Sequence, residues 1–228
     1  MRAPNGDEIP ADPREWRPQV PRATRRAPEI RDPIIEPLWS GTRVIAHFEA
    51  GVSATLVLID EEGQDVSDRD PQVLAELSGA ILATDAVIDG ILSSQATRGG
   101  EGASIIHRPQ VSRGGIFLPR DAGIEVERPG EAPRDAVIAF VALDLLQVDG
   151  QSLFEVPLLE RKRLLESLVA QSERVRVSVH TRPPVDPWVA SWKGAGFRGV
   201  MLKAANGRYS PGGYADDWTT ITRIHQRR

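Results

Sequence analysis

The chain of 228 residues contains no cysteine. Disulfide bonds and thiolate sites, whether metal-binding or nucleophilic, are therefore excluded, and cysteine usage says nothing about the redox compartment. Long apolar runs are also missing, because no stretch approaches the ~20 apolar residues that a membrane-spanning helix needs. Residues 1–13 are polar and proline-rich and lack the basic-then-apolar order of a secretory signal. We therefore expect a cytoplasmic protein with no membrane partner.

Lysine is scarce, since it occurs only at Lys162, Lys193 and Lys203. A genome-wide preference for arginine explains this on the surface. It does not explain a missing lysine where a reaction needs an amine, because arginine stays protonated and is a poor nucleophile. The formal net charge of -4 does not indicate a nucleic-acid binder, although a basic face is compatible with that average.

Residues 1–30 are predicted to form a flexible arm, because they contain six prolines and several arginines with almost no apolar periodicity. One interpretation is a tether that binds phosphate or an acidic partner through Arg22, Arg25 and Arg26. The alternative, a solvated linker, is favoured because acidic residues offset much of this charge: Asp7, Glu8, Asp12 and Glu15.

Strands and helices alternate irregularly from about Ile30 onward, which favours an α+β fold over a doubly wound parallel sheet. Residues 44–48 and 54–59 predict a hairpin through Gly51. A helix is predicted from Pro71, through apolar residues at helical spacing: Val73, Leu74, Leu77, Ile81 and Leu82. A second, amphipathic helix is predicted from Pro157, with Leu158, Leu164, Leu165, Leu168 and Val169 buried, and a third around residues 187–195. Further strands are predicted at residues 86–88, ending at an Asp89-Gly90 turn, at 136–143, at 175–179, and at 200–202 as the last core strand.

The segment 97–134 is rich in glycine, arginine and proline, with short β-like pieces at 104–106 and 115–118. Its arginines are compatible with a DNA-facing insertion. A solvated loop explains the same composition and is the favoured interpretation.

Residues 143–150 have the sequence Leu-Asp-Leu-Leu-Gln-Val-Asp-Gly, and after Leu153, residues 157–165 have the sequence Pro-Leu-Leu-Glu-Arg-Lys-Arg-Leu-Leu. These two blocks resemble the Phe-Asp-Leu-Leu-x-x-Asp-Gly and Pro-Leu-x-Glu-Arg-Arg-x-Leu-Leu patterns of the ATP-dependent DNA ligases. Residues 36–43, Glu-Pro-Leu-Trp-Ser-Gly-Thr-Arg, resemble the nucleotidyl-transfer motif Glu-x-Lys-x-Asp-Gly-x-Arg. Four further blocks follow in the family's order. Asp89-Gly90 resembles Asp-Gly-Glu, and residues 199–203 resemble Gly-Val-x-x-Lys. The last two are residues 209–212 and Asp217-Trp218.

The resemblance covers about residues 30–222 and implies antiparallel sheets flanked by helices around a central ATP groove. It implies a DNA-ligase-like adenylation domain at residues 31–228, with ATP and Mg²⁺ as the family's cofactors and DNA as a partner. The oligonucleotide-binding (OB) domain that usually follows is expected to be absent. The candidates for binding nucleotide or phosphate are Glu36, Arg43, Asp89, Leu143, at the adenine-stacking position, and Lys203.

The central departure is Leu38, which stands where the family has its nucleophilic lysine. A leucine has no lone pair with which to attack a phosphate, and no lysine precedes Lys162. The family's phosphate-side arginine is replaced by Glu61, a charge reversal of about 4 kcal/mol at ~4 Å from a phosphate and an effective dielectric constant of ~20. Other catalytic or nucleotide-binding side chains are replaced by Ser40, Ile91, Arg198, Tyr214, Thr220 and Thr222.

Three interpretations remain open. The favoured one is a catalytically degenerate ligase-like protein that binds DNA, nucleotide or a repair protein in a DNA repair or replication context. The second is an active ligase or nucleotidyltransferase with an unorthodox nucleophile, and the third is a purely structural interaction module. No metal site is predicted, because the histidines are scattered without paired carboxylates: His47, His107, His180 and His225.

Overall fold

The structure is a computed structural model that describes residues 9–21, 29–52, 54–95, 137–183 and 186–222. The predicted pieces at 104–106 and 115–118 lie outside these ranges. The strands are β1 (Val20–Pro21), β2 (Pro33–Pro37), β3 (Thr42–Glu49), β4 (Thr55–Asp60), β5 (Asp85–Ser93), β6 (Ala139–Val148), β7 (Gln151–Ser152), β8 (Val175–Val177), β9 (Val200–Ala204), β10 (Tyr214–Ala215) and β11 (Trp218–Ile221). The helices are α1 (Pro71–Ala80), α2 (Leu158–Leu168) and α3 (Asp186–Gly194), with 3-10 turns at Pro13–Glu15 and Ser67–Arg69.

A six-stranded sheet forms the centre of the fold. Its order is β4-β3-β5-β6-β7, with antiparallel neighbours, and β8 pairs with β6 in parallel. The predicted hairpin of β3 and β4 is confirmed. Because side chains alternate along a strand, β3 presents Val44 and Ala46 to one face and Arg43, Ile45 and His47 to the other, called here the inner face.

A three-stranded antiparallel sheet of β11, β9 and β2 packs near the inner face. The register places Ile34 and Trp218 on either side of Lys203, and Glu36 opposite Met201. We call the space between the two sheets the central groove. The mixed architecture confirms the α+β prediction.

The outer face of the six-stranded sheet carries the largest hydrophobic core. Alternate residues of β3, β5 and β6 pack there against α1 and α2, as in Val44, Ile88, Phe140, Leu77 and Leu165. Helix α1 begins at Pro71, where the Asp70 carboxylate accepts a hydrogen bond from the Val73 N–H at 3.1 Å, an N-terminal cap. In the described residues, no helix is both long and apolar enough to cross a membrane.

Helix α2 corrects one sequence prediction. The predicted buried residue Leu164 is 41% exposed, whereas Arg161 and Lys162 are fully buried. The buried face follows the spacing 158, 161, 162, 165, 168, which is the 3.6-residue periodicity of one helical stripe. The prediction chose leucines by hydrophobicity, but helical geometry puts these two cations on the inward stripe.

Two strand predictions also need correction. Asp89-Gly90 is not a turn, because β5 continues to Ser93 with both residues paired on each side. The strand at 200–202 is not the last, since β10 and β11 follow it. Helix α1 ends at Ala80, so Ile81 lies outside it and forms an isolated bridge with Val169.

The N-terminal arm is only partly as predicted. Ile9 and Trp16 are buried, and β1 pairs in parallel with β10. The expectation of a free arm is therefore wrong for residues 9–21, while the domain boundary near residue 30 stays a prediction.

Gly90 provides a test of packing in the main core. A Cβ atom at this position would lie 2.3 Å from the Phe140 ring and 3.0 Å from the Val141 carbonyl oxygen. We predict that Gly90→Ala lowers the free energy of unfolding by about 1–3 kcal/mol, because the overpacked strand must shift. Urea denaturation measures the change.

Gly79→Ala is the matched control, since a Cβ at this exposed helical position meets nothing within 4 Å. It should leave stability unchanged or raise it by up to about 1 kcal/mol. Equal effects of the two substitutions would contradict the packing described for Gly90.

Candidate functional site

Four of the five candidate residues lie on strands that border the central groove. They form two ion-paired groups, one with Glu36 and Lys203 and the other with Arg43 and Asp89. Glu36 lies on β2, Arg43 on β3, Asp89 on β5 and Lys203 on β9, and three of them are almost fully buried. The fifth, Leu143 on β6, lies in an adjoining apolar cluster.

Glu36 forms ion pairs with two lysines. One carboxylate oxygen lies 3.0 Å from the Lys203 Nζ, and the other contacts the Lys162 Nζ. All three side chains are at most 3% exposed. Lys162 was missed as a site residue by the sequence interpretation, although the helical stripe of α2 would have directed it inward.

The electrostatics of this triad fix Glu36 in its charged form. Burial by itself raises the Glu36 pKa, but the ammonium groups of Lys162 and Lys203 outweigh burial and lower the pKa to about 2. Burial lowers the Lys203 pKa below its ordinary value, and the attraction to Glu36 offsets only part of that change. The Lys203 Nζ also lies 4.3 Å from the centre of the Trp218 ring, a cation–π contact.

Arg43 and Asp89 form a bidentate pair, with nitrogen–oxygen distances of 2.5 and 2.6 Å. The Tyr209 hydroxyl donates a hydrogen bond of 2.8 Å to the same carboxylate. Burial lowers the Arg43 pKa, but Asp89 raises it above its ordinary value. Burial and Asp89 raise the Tyr209 pKa well above its ordinary value, so this hydroxyl keeps its proton. The polar atoms of Arg43 and Asp89, which keep their family identities, are therefore already bonded to each other and to Tyr209.

Asp144 and Arg161 make a second bidentate pair, at 2.8 and 2.7 Å, and both side chains are essentially unexposed. The Arg161 guanidinium also donates to the carbonyl oxygens of Val156 and Gly207. Burial lowers the Arg161 pKa, but Asp144 outweighs burial and raises it above its ordinary value. Hydrogen-bonded pairing of this kind is what makes deep burial of charge tolerable.

An apolar cluster fills the groove beside these charges. Leu143 packs there with residues of both sheets and of helix α3, among them Ile35, Trp39, Ile91, Trp192 and Phe197. The Trp39 and Phe197 rings meet edge to face with centroids 4.8 Å apart, and the Trp39 Nε1 donates to the Ser178 hydroxyl at 2.9 Å. The position that the resemblance assigns to adenine stacking is thus part of a packed core.

Leu38 lies at the end of β2, half-buried. Its N–H donates to the Gly199 carbonyl oxygen at 2.9 Å, and a Cβ at Gly199 would lie 3.1 Å from the Leu38 Cδ2. The side chain packs beside β9, and its chemistry is limited to apolar contact.

The turn at residues 60–65 holds the predicted charge reversal. Glu61 and Glu62 are exposed there, while the Asp60 carboxylate accepts hydrogen bonds from the N–H groups of Glu62 and Gln64. On the inner face of β3, burial lowers the His47 pKa to about 4; Arg14 and Arg17 lower it further, and Asp12 opposes them.

His180 has a carboxylate neighbour in the structure. Its Nδ1 lies 3.6 Å from a Glu166 oxygen. Across the part of the chain that the structure describes, no three His, Cys, Asp or Glu side chains converge as metal ligands.

Comparison with known proteins agrees with this architecture. The model of the family described as ATP dependent DNA ligase domain matches residues 23–221. A probable DNA ligase of Streptomyces coelicolor is 27% identical over 198 residues, which is 84% of this chain and 35% of that protein. A probable DNA ligase of Mycobacterium sp. strain KMS is 28% identical over 222 residues, 92% of this chain and 38% of that protein.

Two solved structures share the fold. The crystal structure of the ligase domain of M. tuberculosis LigD has a TM-score of 0.61 at 20% identity, and covers 92% of this chain and 60% of its own. A Lig E DNA ligase has a TM-score of 0.52 at 17% identity, and covers 92% of this chain and 69% of its own.

The fold and the site define a nucleotidyltransferase domain of antiparallel sheets around a central groove. The chain belongs to the family of ATP-dependent DNA ligase domains and carries its adenylation-domain fold. It spans 35 to 38% of the length of the two curated relatives described above.

The Glu36 triad predicts a pH dependence of stability. Because the Glu36 pKa falls from 4.5 to about 2 on folding, its contribution is fully present above about pH 4.5 and is lost as the pH falls toward 2. At 1.36 kcal/mol per pKa unit, this amounts to about 3 kcal/mol. We predict that Glu36→Gln lowers stability at pH 7 by about 3–5 kcal/mol, because it leaves two buried ammonium groups without a carboxylate.

Urea denaturation from pH 6 to pH 2.5 measures both effects, and the variant should lose less stability than the wild type over this interval. Glu160→Gln is the control, since its pair with Arg163 is exposed and should contribute less than about 1 kcal/mol. If both variants match the wild type at neutral pH, the triad does not stabilise the fold as described.

Proposed function

We propose that this protein is a catalytically degenerate DNA-ligase-like domain that binds DNA or a repair protein and does not adenylate itself. The observation that supports this is Leu38 in the nucleophile position, beside a groove whose two lysines are both bound to Glu36. The proposed context is DNA repair or replication, in the cytoplasm.

Self-adenylation needs an accessible amine with a free electron pair beside the α-phosphate of ATP. Leu38 has none, and the amines of Lys162 and Lys203 are buried in ion pairs with one carboxylate. To act on ATP, either lysine would have to break a buried pair, and breaking such a pair costs about 3–5 kcal/mol.

Nucleotide binding is opposed by the surroundings as well. Leu143 offers no aromatic face and is packed among Trp39, Trp192 and Phe197, so a base would have to displace core side chains. By the resemblance, Glu61 also stands where the family has a phosphate-side arginine, and its negative charge would oppose a triphosphate. ATP and Mg²⁺ are therefore not part of the proposed activity.

DNA is the partner that family membership suggests, and the described surface supports only weak attraction to it. Exposed arginines have acidic neighbours within 4 Å at several positions, namely Arg69, Arg163, Arg182 and Arg208. Each such pair reduces the positive charge available to phosphates. We therefore propose modest, salt-sensitive DNA binding, with a protein partner as the alternative.

The second candidate function, an active nucleotidyltransferase, is favoured by one observation. Burial lowers the Lys203 pKa, which raises the fraction of uncharged, nucleophilic amine. In that case, the uncharged Lys203 amine would attack the α-phosphate of ATP in the presence of Mg²⁺, form a nitrogen–phosphorus bond to AMP and release pyrophosphate. Lys203→Met would abolish this adduct.

Intact-mass spectrometry after incubation with ATP and Mg²⁺ tests the proposal. We predict no gain of one AMP by the wild type, because Leu38 has no amine and the amines of Lys162 and Lys203 are buried in ion pairs. Leu38→Lys alone should also show none, since the other catalytic side chains and the space for the base are still missing. An adduct on wild-type Lys162 or Lys203 would establish the second candidate, and an adduct on Leu38→Lys would show that the groove accepts ATP.

Gel shifts with nicked and intact duplex DNA test the partner. We predict binding of nicked duplex in 50 mM salt that falls at least tenfold by 200 mM salt, because the affinity depends on a few phosphate contacts. Leu38→Met should bind like the wild type, because it changes only an apolar side chain in the groove. The absence of any shift at low salt would remove DNA and leave a protein-binding module.

A further inference from the structure

Residues 9–21, called here the N-terminal strap, lie before the segment that the family model matches, residues 23–221. The strap nevertheless packs against both sheets of the fold. It makes apolar contacts, hydrogen bonds and electrostatic contacts with residues around one end of the central groove.

The apolar contacts join the strap to both sheets. Ile9 and Trp16, each 5% exposed, share a cluster with Ile45, Val87 and Leu146 of the six-stranded sheet and with Trp218 of the three-stranded sheet. The Trp16 ring meets Phe154 edge to face at 4.7 Å between centroids. The strap therefore covers the groove where its two walls meet.

The hydrogen bonds tie the strap to the retained ligase-like residues. The Gln19 N–H donates to the Tyr209 hydroxyl at 2.9 Å, and that hydroxyl donates to Asp89, the partner of Arg43. The Ser210 N–H donates to the Gln19 Oε1 at 3.1 Å. Nearby, the Val20 N–H donates to Gly213 and the Gly212 N–H donates to Arg17, at 3.2 and 2.7 Å.

The electrostatic contact involves the acidic turn at residues 60–65. The Arg17 guanidinium fills the space beside Gly63, where a Cβ would lie 2.1 Å from its Nη2. The Asp65 pKa is lowered, chiefly by hydrogen bonds from Ser67 and in smaller part by the charge of Arg14. The strap thus brings two cations to a turn that carries Glu61, Glu62 and Asp65.

We infer that the N-terminal strap is an intramolecular cover that closes this end of the central groove, with the acidic 60–65 turn as its docking site. Glu61, which stands at a phosphate-side position by the resemblance, belongs to this turn, where Arg17 lies beside Gly63 and the charge of Arg14 acts on Asp65. This inference goes beyond the proposed function and holds whether or not the groove binds DNA.

His47 gives an internal reporter of closure. It lies on the inner face of β3, and burial is the largest cause that lowers its pKa to about 4. Among the charges of the strap, Arg14 and Arg17 also lower this pKa and Asp12 partly opposes them. We expect release of the strap to expose the imidazole to water and to remove all three charges. Its titration midpoint then moves toward the ordinary value of 6.5.

Hydrogen exchange and NMR titration of the full chain test the inference. Arg17→Glu should accelerate exchange of the Val20 and Gly212 amides at least tenfold and raise the His47 midpoint, because it places like charges together at the turn. Adding Glu61→Arg should reverse both changes at least in part. Arg163→Glu makes the same charge change at an exposed position of α2, and it should alter neither the exchange rates nor the His47 midpoint.

Trp16→Ala is a second variant that removes the apolar anchor instead of the charge, and it should give the same two signals. The inference is wrong if these amides exchange in the wild type at the rate of an unstructured peptide. It is also wrong if Arg17→Glu and Trp16→Ala leave both the exchange rates and the His47 midpoint unchanged, or if Glu61→Arg gives no restoration.

Discussion

The structure of the groove depends on one buried carboxylate. Glu36 connects β2 to β9 through Lys203 and to α2 through Lys162, so a single side chain links the three-stranded sheet to a helix of the main core. Two ammonium groups sharing one carboxylate in a dry site leave little freedom for any of the three. That constraint matters for the groove, because the ammonium groups of Lys162 and Lys203 are already paired with Glu36.

The other residues that resemble the ligase motifs are used in the same way. Asp89 is saturated by Arg43 and Tyr209, and Asp144 by Arg161. A side chain can keep its family identity while its polar atoms serve packing, since a buried charge requires a partner. Retention of Glu36, Arg43, Asp89 and Lys203 is therefore compatible with a groove that no longer performs nucleotidyl transfer, as we propose.

Local patterns predicted much of the fold. The alternation along residues 44–48 and 54–59 predicted the hairpin of β3 and β4, and Pro71 and Pro157 marked the starts of two helices. The errors share a physical origin. Asp89-Gly90 has the composition of a turn, yet it lies within β5 because pairing on both sides satisfies its backbone, and Phe140 fills the space that a side chain would occupy. The prediction of a free arm was wrong for the strap, because Ile9 and Trp16 are buried by residues far away in the chain, such as Phe154, which local composition does not reveal.

The sequence by itself determined the family-like order of motifs and the leucine at position 38, because both are matters of residue identity and spacing. Only the tertiary structure decided which groups share Glu36, that Leu143 is core, and that Arg17 reaches the acidic turn. Each of these contacts joins residues that are far apart in the chain, so no local periodicity predicts it. Their physical reason is burial: a charge or ring removed from water takes whichever partner the packing of the whole chain brings within reach.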